Sequence, residues 1–415
     1  MLEARTVTSG ATGRNGGHCK DVSYKTYSKL KAQLGKEAAK RLVNFRRSHI
    51  DATRQLARQL HEEGFGDGHF RTVDSITGVF DREIFRDLSY NLHAFLEDFQ
   101  EERDRYLILD GEEAQRKYGL VGACGAISSP AAALWPYRLV TSVLQRLLSR
   151  HQSFSLEALT PVLSLSASKD SRHPYVVHTP RGTIRAQHVV HCTNGYASHL
   201  LPSLRDKIVP VRGQMTAFVP SDEFPRRGDI HSWSLCWPNG GFDYMTQAND
   251  AEGLVFLGGG VEQGSSAGSV DYDLVDDGSL NTPALQHLCS VLPKHFEAGD
   301  GAKLKKAWTG IMGFTPDGFP LVGRIPQELS PRKVVHGAAG QEWIAAGFNG
   351  YGMVHCWQSG RAIADMVTGK PKETIDAYFP SEHFACSKER LERMDSEALR
   401  AEFYKNAPTT LKSRI

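Results

Sequence analysis

The sequence has no long apolar run, no CxxC pair and no dominant sign of charge. Its longest stretches without charge, around "ACGAISSPAAALWPY" and "WIAAGFNGYGMVHCW", are too short and too rich in Gly, Pro and polar residues to span a bilayer. The N-terminus lacks the apolar core of a signal peptide, so a soluble cytoplasmic protein without a membrane partner is expected. Seven cysteines, odd in number and dispersed, fit reduced thiols rather than a disulfide framework. A net charge of +2, with no basic run interleaved with aromatics, sets nucleic acid aside as a partner. The one metal-like spacing, "HVVHC", falls in a strand pattern. There His188 and His191 point to opposite faces, while His188 and Cys192 lie about 13 Å apart on one, so no metal is expected.

What the chain does have is glycine in separated clusters: "SGATGRNGG", "CTNGY" and "GFNGYGM". Leu2 to Val7 reads as the end of a strand. The glycines that follow forbid a regular element and let the backbone lie against something flat or anionic. In a dinucleotide-binding βαβ unit the second strand ends in a carboxylate that takes ribose hydroxyls, and Glu3 stands in that place. The last cluster opens a helix at Gly352 and Met353, where backbone N–H groups and the helix dipole can receive negative charge.

Between the clusters, Phe45, His49, Ala52, Leu56 and Leu60 mark one face of a helix. Residues 65–135 read as an inserted module, with a strand in "RTVDSITGVF" and a helix around "LSYNLHAFLEDFQEE". An amphipathic helix over 138–150 leads to a strand at "LTPVLSL" and a hairpin turning at Pro180 to Gly182. From Ile208 the alternating strands "IVPVRGQMTAFV", "FDYMTQ" and "GLVFLGGG" indicate an antiparallel sheet, closed by a helix around "TPALQHLCSVLPKHF". Past Pro380 the charged tail reads as a solvated helix.

Taken in order, "SGATGRNGG", "TPV", "CTNGY", "PVRGQ", "WTGIMGFTPDGFPLVG" and "AAGFNGYGM" resemble the D-amino-acid-oxidase-like superfamily of FAD-dependent oxidoreductases, in the branch with glycine oxidase, sarcosine oxidase and gamma-glutamylputrescine oxidoreductase. The resemblance implies an α/β fold: a discontinuous Rossmann-type FAD-binding domain (1–64, 136–207 and 305–372) interleaved with an antiparallel-sheet substrate domain (65–135 and 208–304), followed by the tail 380–415. It implies that Glu3 binds the ribose. Ser9, Gly10, Ala11, Thr12, Gly13, Arg14, Asn15, Gly16 and Gly17 would run along the pyrophosphate and flavin, and Val162 would meet the adenine. Thr193, Asn194 and Gly195 would sit near the cofactor. Trp308 and Gly310 would flank the flavin ring, with Gly350, Gly352 and Met353 at its pyrimidine end. Tyr351 and Tyr244 are the candidates for the substrate side, with His18 and Arg212 behind them.

The implied reaction is oxidation of an amine or amino-acid-like C–N bond by hydride transfer to flavin, with oxygen as acceptor and peroxide as product. A dehydrogenase using another acceptor, or a non-catalytic remnant, are the rivals. Three departures from the family pattern matter. Gly310 stands where the sarcosine-oxidase branch ties flavin to a cysteine, so the FAD is expected to be non-covalent. "DYMTQ" offers Met245 where related oxidases carry a carboxylate-binding arginine. The largest departure is at the front: the GxGxxG fingerprint, expected about 30 residues upstream of Glu3, is absent. Met1 is then either an internal methionine of a longer gene product or the start of a shortened, N-terminally incomplete form that binds FAD weakly or not at all. The C-terminal Ser413-Arg414-Ile415 resembles a peroxisomal tripeptide.

Overall fold

The computed structural model describes residues 1–335 and 337–409. Along the chain the strands are β1 (His18–Cys19), β2 (Arg71–Val79), β3 (Leu107–Asp110), β4 (Gly125–Ala133), β5 (Ser164–Ala167), β6 (Tyr175–Thr179), β7 (Gly182–Ala186), β8 (Val189–His191), β9 (Val209–Val219), β10 (His231–Cys236), β11 (Phe242–Gln247), β12 (Val255–Gly259), β13 (Lys303–Phe314), β14 (Leu321–Arg324) and β15 (Glu342–Ala346). Nine of them form one sheet in the order β1-β4-β2-β10-β11-β12-β9-β13, with β3 beside β4. Two three-stranded sheets, β14-β15-β8 and β5-β6-β7, complete the fold.

The large sheet is curled, and the chain itself requires it. Laid flat, seven strand spacings of about 4.8 Å would put β1 and β13 about 34 Å apart. Yet Arg14 is bonded to Trp308 of β13 while His18 pairs with Ala133 of β4, and four residues reach at most about 14 Å. The glycine-rich segment therefore crosses the concave face. Thr246 of β11, in the middle of the sheet, confirms this by donating to the Gly16 carbonyl at 2.6 Å.

Because successive strand residues alternate faces, the register assigns each residue a side. Tyr244 opposes Ser234 and Gly258, and Gly258 opposes Met215, which opposes Trp308. These share the concave face with the segment. The intervening residues, among them Ile76, Trp233, Leu235, Met245, Val255 and Leu257, bury the convex face against Leu288, Val291 and Leu292 of the helix Thr282–His295.

Several expectations need correction. Leu2 to Val7 is not a strand: Leu2 makes a single parallel bridge to Glu157, and the chain then bends. The glycine-rich segment does hold a regular element, the one-turn helix Ala11–Arg14, closed by Gly13 N–H donating to the Thr8 carbonyl at 2.9 Å. Strand β10 was hidden by its serines. It pairs parallel with β2 and fuses the 65–135 module to the strands after Ile208, so the substrate sheet is mixed rather than antiparallel. Strand β13 belongs to this same sheet, not to a separate FAD domain. The helix Lys36–Glu62 buries Phe45, His49, Leu56 and Leu60, with Thr53 rather than Ala52 on the inward face. The described part of the tail is not a free solvated helix: Phe384, Leu391, Met394 and Leu399 are buried, and Arg390 clamps Asp317 at 2.7 Å and the Phe319 carbonyl at 2.7 Å.

Candidate active site

The segment 8–17 is held by contacts that each need its particular residues. Gly17 has φ of 76°, and a Cβ there would stand 1.9 Å from the Leu134 carbonyl, so only glycine turns the chain into β1. Trp308 Nε1 donates to the Arg14 carbonyl at 2.8 Å, while Arg14 donates to the carbonyls of Ser9 at 2.6 Å and Thr309 at 2.7 Å. Asn15 Oδ1 accepts from Gly17 N–H at 2.8 Å. A Cβ on Gly310 would touch Arg14 Cβ at 3.4 Å, so Gly310 lies directly under the one-turn helix.

Polar groups here are left without protein partners. Thr8 Oγ1, Ser9 Oγ, Ser232 Oγ and both ring nitrogens of His18 are buried and unbonded. Buried polar atoms in native structures are almost always satisfied, so such a cluster signals water or a ligand. Hydroxyl donors at Thr8 and Ser9 beside a glycine turn suit a phosphate-bearing dinucleotide.

A second group of predicted residues converges from β8, β13 and the loop after β15. Asn194 Oδ1 accepts from Gly347 N–H at 2.9 Å. A Cβ on Gly195 would meet the Met312 carbonyl at 2.8 Å, and one on Gly350 the Met312 sulfur at 3.4 Å. The Met353 carbonyl lies 3.6 Å from Cys19 Sγ, which ties this loop to β1. Thr193 and Tyr351 are exposed, the latter 45%. Gly352 and Met353 form a short 3-10 turn, Gly352–Val354, and the helix proper starts at Cys356. Burial pushes the Cys356 thiol up to about 12, although the residue is exposed to solvent. At the far end, Glu3 N–H donates to the Glu157 carbonyl and Thr160 N–H to the Glu3 carbonyl, each at 2.9 Å. These bonds bring Glu3 to the segment that leads to Val162.

On the substrate side, His18 meets Tyr244 edge-on at 5.7 Å. Burial raises the Tyr244 phenol to about 12. Burial, followed by Lys20 and Arg71, lowers His18 well below its usual value and keeps it neutral. Arg212 does not join them. It opposes Ile311, on the convex side, and is locked to Asp271 at 2.7 Å. Sequence reading missed Lys20, Ser234 and Phe242. The alternation His18-x-Lys20 was the available signal, since it puts Lys20 on His18's face.

The profile described as DAO, FAD dependent oxidoreductase, matches residues 1–366. The chain belongs to this family. It is 22% identical over 413 residues to gamma-glutamylputrescine oxidoreductase of Escherichia coli (strain K12), covering 97% of this chain and 85% of that protein. D-amino acid dehydrogenase of Paramagnetospirillum magneticum (strain ATCC 700264 / AMB-1) is 27% identical over 218 residues, covering 51% of this chain and 43% of that protein. In fold it resembles the glycine oxidase of Geobacillus kaustophilus, with a TM-score of 0.70 at 18% identity over 93% of this chain and 91% of that one. This member of the DAO family is thus an FAD-dependent oxidoreductase of the amino acid oxidase type. No described helix is long and apolar enough to cross a membrane. Ser413-Arg414-Ile415 lies outside the described residues.

Proposed function

We propose that the protein oxidises the C–N bond of a small amine or amino acid by hydride transfer to non-covalently held FAD, with oxygen as acceptor and hydrogen peroxide as product. The observation that carries this reading is the segment 8–17 drawn across the concave face, with unbonded donors at Thr8, Ser9 and His18. Bound FAD supplies the hydride acceptor.

The chain's own residues then have definite tasks. Thr8 and Ser9 hydroxyls would donate to the pyrophosphate, and Glu3 would reach the ribose beside the segment ending at Val162. Gly310 offers no side chain to bond a flavin covalently, which supports non-covalent binding. The backbone N–H groups of Gly352 and Met353 at the start of the turn Gly352–Val354 would meet developing negative charge. Tyr244 and Tyr351 wall the substrate. His18, neutral and unbonded at both nitrogens, can hydrogen-bond the amine once its proton has left, which must happen before hydride does.

Anaerobic addition of amines to the FAD-loaded protein should bleach its flavin absorption, and readmitted air should yield one peroxide per turnover. Similarity to a D-amino acid dehydrogenase favours one alternative acceptor. Turnover with a dye that is equal with and without oxygen would select it. Failure to retain flavin at high FAD would instead point to a non-catalytic remnant.

A further inference from the structure

We propose that Lys20 and Lys25 form an anion-recognising wall of this site and make it selective for amines that carry two carboxylates. The inference rests on the amine-oxidation reading for the word amine, but its geometry stands independently. Lys20 follows β1 on the same face as His18, and its ammonium donates to Ser234 Oγ. Ser234 opposes Tyr244, and Cys236 opposes Phe242, across β10 and β11. The Lys25 ammonium lies 3.8 Å from Cys236 Sγ. Both ammonium groups stand over the Phe242 ring, Lys20 at 6.0 Å and Lys25 at 4.8 Å from its centroid. The two cations thus share one wall with Tyr244.

No Asp or Glu pairs with either lysine among the described residues; on Lys25, burial is outweighed by Cys236, Tyr24 and Tyr351, which raise its pKa. Lys20 is only 8% exposed, and besides burial the groups that act on its charge are Lys25, which repels it, and the Cys236 thiol. Burial first and Lys25 second lower its pKa well below the usual value. Asp21, the adjacent carboxylate, pairs with neither lysine. Its Oδ1 accepts from Ser23 N–H at 2.9 Å and from the Ser23 hydroxyl, its charge faces Arg46 and Arg47, and its Oδ2 is buried and unbonded. Tyr24 spends its hydroxyl on Thr77 at 3.0 Å.

Burying a lysine without a carboxylate partner disfavours its charged form, and a ligand carboxylate would restore that form. A single carboxylate would leave one of two lysines unpaired. Two carboxylates answer both, and each lysine brings three donors on a flexible stem that can follow its partner.

The test is calorimetric titration of the full chain, loaded with FAD, with succinate, propionate and butylamine. Succinate carries both carboxylates and no amine, so its binding does not depend on oxidation chemistry. Succinate should bind about tenfold or more tightly than propionate, with butylamine weakest. Lys20→Met and Lys25→Met should each weaken succinate by about tenfold to a hundredfold, and Lys20→Arg should restore most of it. Lys25 is less buried, so its variant carries the test if Lys20→Met fails to fold. Equal binding of succinate and propionate, or wild-type succinate binding by both methionine variants, would overturn the proposal. So would loss of flavin retention in Lys20→Met with succinate binding intact, which would give the lysine to the cofactor. If succinate binds through both lysines while no amine bleaches the flavin, the anion wall stands and the amine-oxidation reading falls.

Discussion

The two faces of the nine-stranded sheet are made by alternate residues of the same strands, yet they have opposite character. On the convex face Ile76, Trp233, Leu235, Met245, Val255 and Leu257 pack against the helix Thr282–His295. On the concave face the same strands offer Ser75, Thr77, Ser232, Ser234, Tyr244, Thr246 and Gly258. The first face stabilises the fold, at about 1.5 to 3 kcal/mol for each large apolar side chain fully buried. The second leaves hydroxyls and an imidazole without partners and two lysines without a carboxylate. Stability and chemistry are separated by one residue of register.

The strongest way to break the comparison is Arg212→Ala. Arg212 belongs to the convex side, and removing it strands Asp271, which is 1% exposed. A stability loss of about 3 to 5 kcal/mol in urea denaturation is expected. Loss of substrate selectivity at wild-type stability would return Arg212 to the concave side. Leu257→Ala empties a fully buried convex position and should cost about 2 to 5 kcal/mol in the same measurement.

Buried histidines, His18 on the concave face and His49 and His355 packed on Phe45 away from it, should be felt in acid. His18 and His355 are held well below the usual value near 6.5, chiefly by burial, and His49 is lowered to about 4 by the same cause. As pH falls through about 6.5 the unfolded histidines take up protons that the folded ones refuse, so this stability is present above that pH and lost below it. Each histidine contributes about 1.4 kcal/mol per pH unit until its folded pKa is reached. Urea midpoints measured from pH 7 to pH 5 check this, and His18→Phe should flatten the slope by one proton. The smallest effect expected is from Trp308→Phe, which removes the 2.8 Å bond to the Arg14 carbonyl. About 0.5 to 1.5 kcal/mol should be lost, together with weaker flavin retention.

The glycine clusters were legible because glycine is demanded by steric contacts that no other residue meets, as at Gly17 and Gly195. The convex strands were legible from alternation. Strand β10 was not, since Ser232 and Ser234 imitate a loop and their reason for being serine lies on another strand. The tail was misread because charge at Lys388, Glu389 and Arg393 masks the inward Leu391 and Met394. Arg212 was misassigned for want of its distant partner Asp271, 59 residues away in sequence. Lys20 needed the curl of the sheet, which no local pattern reveals, before its hydroxyl partner Ser234 came into reach.

The central claim is that the concave face, crossed by residues 8–17, holds FAD without a covalent bond. The most direct test is to incubate the purified 415-residue chain with FAD, pass it through gel filtration, and record the visible spectrum of the protein peak before and after acid precipitation. Flavin absorption that travels with the protein and stays in the supernatant after precipitation is the predicted result. A colourless protein peak, or flavin that precipitates with the chain, would contradict it.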